Sequence, residues 1–107
     1  MNHGLADAAV ARIHDVLARH PEVERAILYG SRAKENFKPG SDVDLTLVGD
    51  KLNSAILGRI DEELDDLLLP YEFDLSIFDR ITHADLSDHI HRIGVAFYEK
   101  PPAPARG

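Results

Sequence analysis

Helical and strand-like hydrophobic patterns alternate along this chain, and that alternation constrains the fold more than any other feature of the sequence. Apolar residues recur at helical spacing from residue 5 to residue 17, and His20-Pro21 ends this first helix. A strand-like segment follows at 23–29, and a second one lies at about 42–48. The residues between them, up to Gly40, predict a loop or a short helix.

The second half of the chain repeats the alternation. Apolar residues from Leu52 to Leu67/Leu68 predict an amphipathic helix that Pro70 closes. Three further segments are predicted after it: a half-buried strand at 71–78, a short helix at 86–93 that Gly94 caps, and a short strand at 95–99. This order predicts an α/β (α+β) domain over residues 1–100, with a small mixed β-sheet flanked by helices and a flexible tail at 101–107.

Composition narrows the class of function. The 107 residues suit one domain, and 44% of them are apolar, enough for a modest core. A net charge of −7 disfavours binding along nucleic-acid backbones, although a single nucleotide remains possible because metal ions supply local positive charge. The sequence shows no secretory signal, no membrane span and no cysteine. We therefore expect a cytoplasmic protein that does not enter a membrane.

Two carboxylates lie close together in the second predicted strand. The period of two in a strand puts Asp42, Asp44 and Thr46 on one face, with the two aspartates about 6–7 Å apart at Cα. Like charges at this spacing repel, but both can ligate one divalent cation or clamp two. The alternative is a solvated strand face or a carboxylate that caps a helix.

A possible phosphate-binding turn precedes these carboxylates. Gly30-Ser31 ends the first predicted strand, so that free backbone N–H groups and a hydroxyl would meet there. A Gly-Ser pair by itself is more often a plain turn. Ten residues separate Ser31 from Asp42, and it is this spacing that makes the pair informative.

Together these motifs resemble a known family. Gly30-Ser31, ten residues and Asp42-Val43-Asp44 match the GS-x10-DxD signature of the polymerase-β-like nucleotidyltransferases. The string "YGSRAKENFKPGSDVDL" is similar to the minimal nucleotidyltransferases, the MntA-type antitoxins that accompany HEPN-domain toxins. The resemblance extends from about Val23 to Tyr98 and implies the polymerase-β-like nucleotidyltransferase fold.

The resemblance also implies an active site. Gly30 and Ser31 would hold the triphosphate of ATP, and Asp42 and Asp44 would bind Mg²⁺, with two ions expected. A third catalytic and metal-binding carboxylate is expected from a later strand, and Asp74 matches it.

The pattern of the third strand supports the choice of Asp74 independently, because Asp74 alternates with Phe73, Leu75 and Ile77 and so faces away from them. Glu72, two residues earlier on the same face, is the alternative.

The loop after Ser31 departs from the family pattern. Related sequences usually have glycine where this chain has Glu35. Arg32, Lys34 and Lys38 are cationic and could reach phosphates or a partner, with Arg32 the predicted nucleotide contact, or they could be ordinary surface charges. Tyr29 is predicted to be a packing residue.

The function implied by the resemblance is that of an antitoxin. It would transfer AMP from ATP to a tyrosine of a cognate HEPN RNase toxin, which it would thereby inactivate in a hetero-oligomer. A chain of this length leaves little room for an acceptor-binding domain, so the acceptor is expected to be another protein. The alternatives are a non-catalytic antitoxin that acts by binding alone and, less in keeping with the length, an aminoglycoside-type small-molecule nucleotidyltransferase.

Overall fold

The computed structural model of the protein describes residues 5–34 and 42–101. Within these ranges the helices are α1 (Asp7–Ala18), α2 (Ser31–Lys34), α3 (Ser54–Asp65) and α4 (Ala84–Ile93), and a 3₁₀ turn spans Phe78–Arg80. The strands are β1 (Arg25–Tyr29), β2 (Val43–Val48), β3 (Phe73–Ile77) and β4 (Val95–Glu99). The predicted α/β class and the predicted order of elements are confirmed.

The four strands form one mixed sheet in the order β3-β2-β1-β4. β1 pairs antiparallel with β2 on one side and with β4 on the other, whereas β2 and β3 are parallel. A parallel pair needs a crossover connection, and α3 provides it. The amphipathic helix predicted between the second and third strands is therefore what makes the sheet mixed.

One face of the sheet carries the core. Apolar side chains that alternate along the strands point to this face, where α1 and α3 cover them. They form two clusters that share Phe73, Leu75 and Phe97 at their boundary. The apolar residues on this side that are fully buried, at 0% exposure, are Ile13, Val16, Leu17, Val23, Ala26, Leu28, Val43, Leu45, Leu47 and Ile60.

The opposite face is partly covered by α4. Gly94, which caps this helix as predicted, lies so close to Ile27 of β1 and to the carbonyl of Ile90 that a Cβ would collide with both. Its φ of −62° is ordinary, so close approach rather than backbone conformation requires the glycine. Thr46, on the same face as Asp44, is 0% exposed.

The end of α3 differs from the prediction. The helix stops at Asp65, and Leu68, which was expected on its buried stripe, is 89% exposed with a φ of 55°. A left-handed residue here reverses the chain, so that Leu67 and Leu69 on either side of it both pack against the core. The sequence prediction extends the helix to Leu68 because the hydrophobic pattern continues there and does not reveal the left-handed φ that reverses the chain.

In the described part of the chain, no helix combines the length and the apolar character needed to cross a membrane. Pro101 is the last described residue, so the rest of the predicted tail, 102–107, lies outside the described residues.

Candidate active site

Three strands bring the predicted site residues to one end of the sheet. Asp44 is the second residue of β2 and Asp74 is the second residue of β3, and the parallel register makes them direct partners. Tyr29, the last residue of β1, is the antiparallel partner of Asp44 on its other side. Directly paired residues point their side chains to the same face of a sheet. The strands therefore align Tyr29, Asp44 and Asp74 in one row.

Asp44 lies in an environment that disfavours its negative charge. It is partly buried, whereas Asp42, just before β2, and Asp74 are exposed. Burial raises the pKa of Asp44 above its ordinary value of 3.8, and the charges of Asp74 and Asp42 raise this pKa further. Asp42 and Asp74 are therefore both close enough to Asp44 to act on its charge.

The register also separates the two candidates for the third carboxylate. Asp74 is the partner of Asp44, whereas Glu72 precedes β3 and its backbone carbonyl accepts a hydrogen bond from the N–H of Val43 at 2.8 Å. Asp74, and not Glu72, acts on the pKa of Asp44. The geometry therefore favours Asp74.

Among the described residues, no group of three or more His, Cys, Asp or Glu side chains is close enough to hold a metal ion as the side chains stand. The chemistry of the donors nevertheless fits a hard divalent cation, because carboxylate oxygens are the ligands that Mg²⁺ prefers. A cation would also relieve the repulsion that raises the pKa of Asp44. Asp42, Asp44 and Asp74 are thus the residues that could hold one.

Gly30 folds the backbone directly against Asp44. Its φ of +79° is in the left-handed region that side chains disfavour, and a Cβ at this position would collide with Oδ2 of Asp44. Ser31 follows as the first residue of α2, and its side chain lies outside the described part of the structure. The Gly30-Ser31 turn and the carboxylates therefore form one site.

Arg32 is buried, whereas its predicted contact with the nucleotide stays a prediction. Its side chain is 2% exposed, so it is not an ordinary surface charge, and its guanidinium lies 5.2 Å from the centre of the Tyr71 ring. It supplies a buried positive charge just after the Gly30-Ser31 turn. The side chain of Lys34, and Glu35 and Lys38 entirely, lie outside the described residues.

Tyr29 is more than the packing residue that the sequence predicted. It is 8% exposed, and its ring packs edge-on against His89 of α4 with the ring centres 6.5 Å apart. Burial raises the pKa of the Tyr29 phenol, and the charges of Asp74 and Asp44 raise it further. The phenol therefore lies beside the carboxylates, a position that follows from strand register and not from the local sequence.

Comparison with known proteins identifies the family. A family model described as "Polymerase beta, Nucleotidyltransferase" matches residues 11–103, most of the chain. The chain belongs to this nucleotidyltransferase family. No curated protein is significantly similar to it in sequence.

Solved structures confirm the nucleotidyltransferase fold and the expected resemblance to the minimal nucleotidyltransferases. A chain of a toxin–antitoxin complex with AMP-PNP superimposes with a TM-score of 0.68 at 15% identity, over 90% of this nucleotidyltransferase and 75% of that chain. A complex of a tri-AMPylated HEPN toxin from Shewanella oneidensis with its MNT antitoxin gives 0.66 at 16% identity, over 94% and 74%. An MntA–HepT toxin–antitoxin complex gives 0.65 at 15% identity, over 89% and 74%.

Proposed function

We propose that this nucleotidyltransferase is an antitoxin that transfers AMP from ATP, with Mg²⁺, to a tyrosine of a cognate HEPN toxin in the cytoplasm. The observation that carries the proposal is the pairing of Asp44 with Asp74 beside the Gly30 turn. A nucleotidyl transfer site needs carboxylates next to a place for phosphates, and these residues meet that requirement.

The proposed roles follow from the position of each residue. Asp42, Asp44 and Asp74 would hold the cation, and Gly30 and Ser31 would bind the triphosphate with their backbone N–H groups. Bound Mg²⁺ would stabilise charge on the attacking and leaving oxygens.

The reaction would be an in-line displacement at the α-phosphorus of ATP. The tyrosine oxygen of the acceptor forms the new O–P bond, the bond to the bridging oxygen of pyrophosphate breaks, and pyrophosphate leaves. Asp74 is an exposed carboxylate that pairs with Asp44 in the β2–β3 ladder, so we assign it the phenolic proton of the acceptor. Arg32 adds fixed positive charge close to the proposed triphosphate position.

The proposed acceptor rests on the solved structures of similar fold. Three of them contain toxin–antitoxin complexes, and in one the HEPN toxin is tri-AMPylated. Exposure of Asp42 and Asp74 suits an acceptor that belongs to another protein, because a neighbouring surface can reach them directly.

The test is to incubate the purified protein with ATP, Mg²⁺ and the candidate toxin and to measure the intact mass of the toxin. We expect the toxin to gain the mass of one or more AMP groups. The Asp42→Asn/Asp44→Asn variant should add none. A toxin that is neutralised without any gain in mass would contradict the enzymatic proposal and leave neutralisation by binding alone.

A further inference from the structure

Two buried hydroxyl groups lie under the paired carboxylates without a hydrogen-bond partner. Thr46 is 0% exposed, and neither its Oγ1 nor the Oγ of Ser76 is paired with any atom of the described residues. An unpaired buried hydroxyl costs about 1–3 kcal/mol relative to one that is satisfied. Valine in place of Thr46 and alanine in place of Ser76 would avoid that cost. The presence of the two hydroxyls therefore indicates that they bind something at this position.

Strand register places the hydroxyls directly beneath the candidate metal site. Thr46 and Ser76 are partners in the parallel β2–β3 ladder, as Asp44 and Asp74 are two residues earlier. Side chains two residues apart in a strand share a face. The four side chains therefore form two rows on one face of the sheet, with the carboxylates in the outer row and the hydroxyls in the inner row.

The phenol of Tyr29 lies where these two rows meet. Burial raises the pKa of Tyr29, and the Ser76 hydroxyl, which approaches the phenol without meeting hydrogen-bond geometry, lowers it. Tyr29 is thus close to both rows. Tyr29 itself is 8% exposed, and its ring packs edge-on against His89.

The spacing of the rows fits a bridging water molecule better than a direct hydrogen bond. Residues two apart in a strand are separated by about 6.6 Å at Cα, and two hydrogen bonds of about 2.8 Å that meet at one water at a tetrahedral angle span about 4.6 Å between oxygens, a gap that the flexible carboxylate side chains can close. A buried water requires about two to four polar partners. The hydroxyls of Thr46 and Ser76 supply two, and the carboxylates of Asp44 and Asp74 can supply the others.

We propose that Thr46 and Ser76 are positioning residues that hold a buried water molecule against Asp44 and Asp74 and so fix these carboxylates in the orientation that binds the divalent cation. This inference rests on the proposed function, which assigns the cation to those carboxylates. Carboxylates that ligate metals are generally oriented by such outer partners, whose loss typically weakens metal affinity by about 10–100-fold.

The experiment compares Thr46→Val, Ser76→Ala and the double variant with the wild type. Mn²⁺ affinity is measured by calorimetry in the presence of α,β-methylene-ATP, which cannot transfer AMP because its α–β bridge is carbon. We expect about 10-fold weaker Mn²⁺ binding in each single variant. The double variant should be no weaker than the single ones, because both hydroxyls hold the same water.

Control variants show whether weaker Mn²⁺ binding results from the lost hydroxyl or from a damaged fold. Thr46→Ser keeps a hydroxyl and should bind Mn²⁺ like the wild type, as should Thr82→Val, which removes an exposed threonine hydroxyl outside the site. Without metal, Thr46→Val should keep the wild-type circular-dichroism spectrum and unfold cooperatively, because no direct hydrogen bond to protein is lost.

The outcomes distinguish this inference from the proposed function. Wild-type affinity in both Thr46→Val and Ser76→Ala would overturn the inference alone. So would Mn²⁺ binding by Thr46→Ser that is as weak as that of Thr46→Val, since that would mark the shape of the side chain, and not its hydroxyl, as the cause. If Thr46→Val does not fold, the Mn²⁺ affinity of Ser76→Ala alone tests the inference. Wild-type protein that binds no Mn²⁺ would overturn the proposed function as well.

Discussion

The carboxylate of Asp44 is held where its own charge is unfavourable. Burial and two neighbouring carboxylates raise its pKa, so ionised Asp44 weakens the metal-free fold. Proteins keep such groups mainly where they serve a function. The metal-free protein is therefore less stable because Asp44 places a negative charge at a fixed position in the site.

We expect Asp44→Asn to raise the melting temperature of the metal-free protein at pH 7. Because the pKa of Asp44 is higher in the folded state than its ordinary 3.8, the folded state takes up the proton first as pH falls. The penalty on the wild type is full above the folded pKa, shrinks as pH falls through that value, and is gone below the ordinary one. The gain from Asp44→Asn should therefore disappear towards pH 3.

Thermal denaturation with EDTA across this pH range measures the effect. Asp50→Asn, which removes an exposed carboxylate from the turn after β2, is the control for loss of one negative charge. Equal gains from the two variants at pH 7 would show that net charge, and not the surroundings of Asp44, is responsible.

At the scale of elements, the turn between β1 and α2 determines how close the backbone comes to the carboxylates. Gly30 has the left-handed φ that ends the strand and lets α2 begin beside Asp44. Any side chain at this position would fill the space that the Asp44 carboxylate now occupies. The conformation of the turn therefore determines whether the Asp44 carboxylate can occupy its position in the site.

We expect Gly30→Ala to lower the free energy of unfolding by about 1–3 kcal/mol, because alanine is strained at this φ. We also expect it to abolish binding of Mg·ATP, since the new Cβ displaces Asp44. Chemical denaturation and nucleotide titration measure the two effects.

Gly58→Ala is the matched control. Gly58 lies inside α3, and a Cβ added there would have no atom within 4 Å outside the backbone of its own helix, so alanine fits. Replacing a glycine within a helix stabilises it by about 0.5–1 kcal/mol. Intact nucleotide binding by Gly30→Ala would contradict the proposed role of the turn, whatever Gly58→Ala does.

The elements were predictable from sequence because their hydrophobic periods are regular, and the resemblance supplied the candidate residues. The pairing of the strands, which decides which residues come together, was harder to predict. That Asp74 pairs with Asp44 depends on the parallel register of β2 and β3, which are joined through α3 and share no local sequence signal. Tyr29 and Ser76 were not recognised as site residues for the same reason, and Leu68 was misplaced because its turn depends on a left-handed φ.

At the scale of the whole molecule, the proposed function raises the question of whether a HEPN toxin would be neutralised by AMP transfer or by contact alone. The carboxylates lie at one end of the sheet, where Asp74 is exposed to an incoming protein. A protein that neutralises a toxin only by covering it should tolerate the loss of one carboxylate charge. An enzyme that depends on that carboxylate should lose its activity. Asp74 can therefore separate the two.

We expect Asp74→Asn to bind the toxin but to add AMP to it about 10²–10⁴-fold more slowly, because a proton acceptor has been removed at constant size. Toxicity should return in cells that express both proteins. Co-purification followed by intact-mass measurement of the toxin tests this. Glu72→Gln, which removes the nearby carboxylate that the register does not pair with Asp44, should leave transfer intact. Full protection by Asp74→Asn with an unmodified toxin would favour binding alone.

The pairing of β4 with β1 has a consequence for how the chain is made. These strands lie towards opposite ends of the sequence, so the outer edge of β1 stays unpaired while the ribosome synthesises everything between them. An unpaired strand edge readily pairs with other chains. A partly folded chain in which β4 has not yet paired with β1 therefore exposes this edge and can pair with other chains through it.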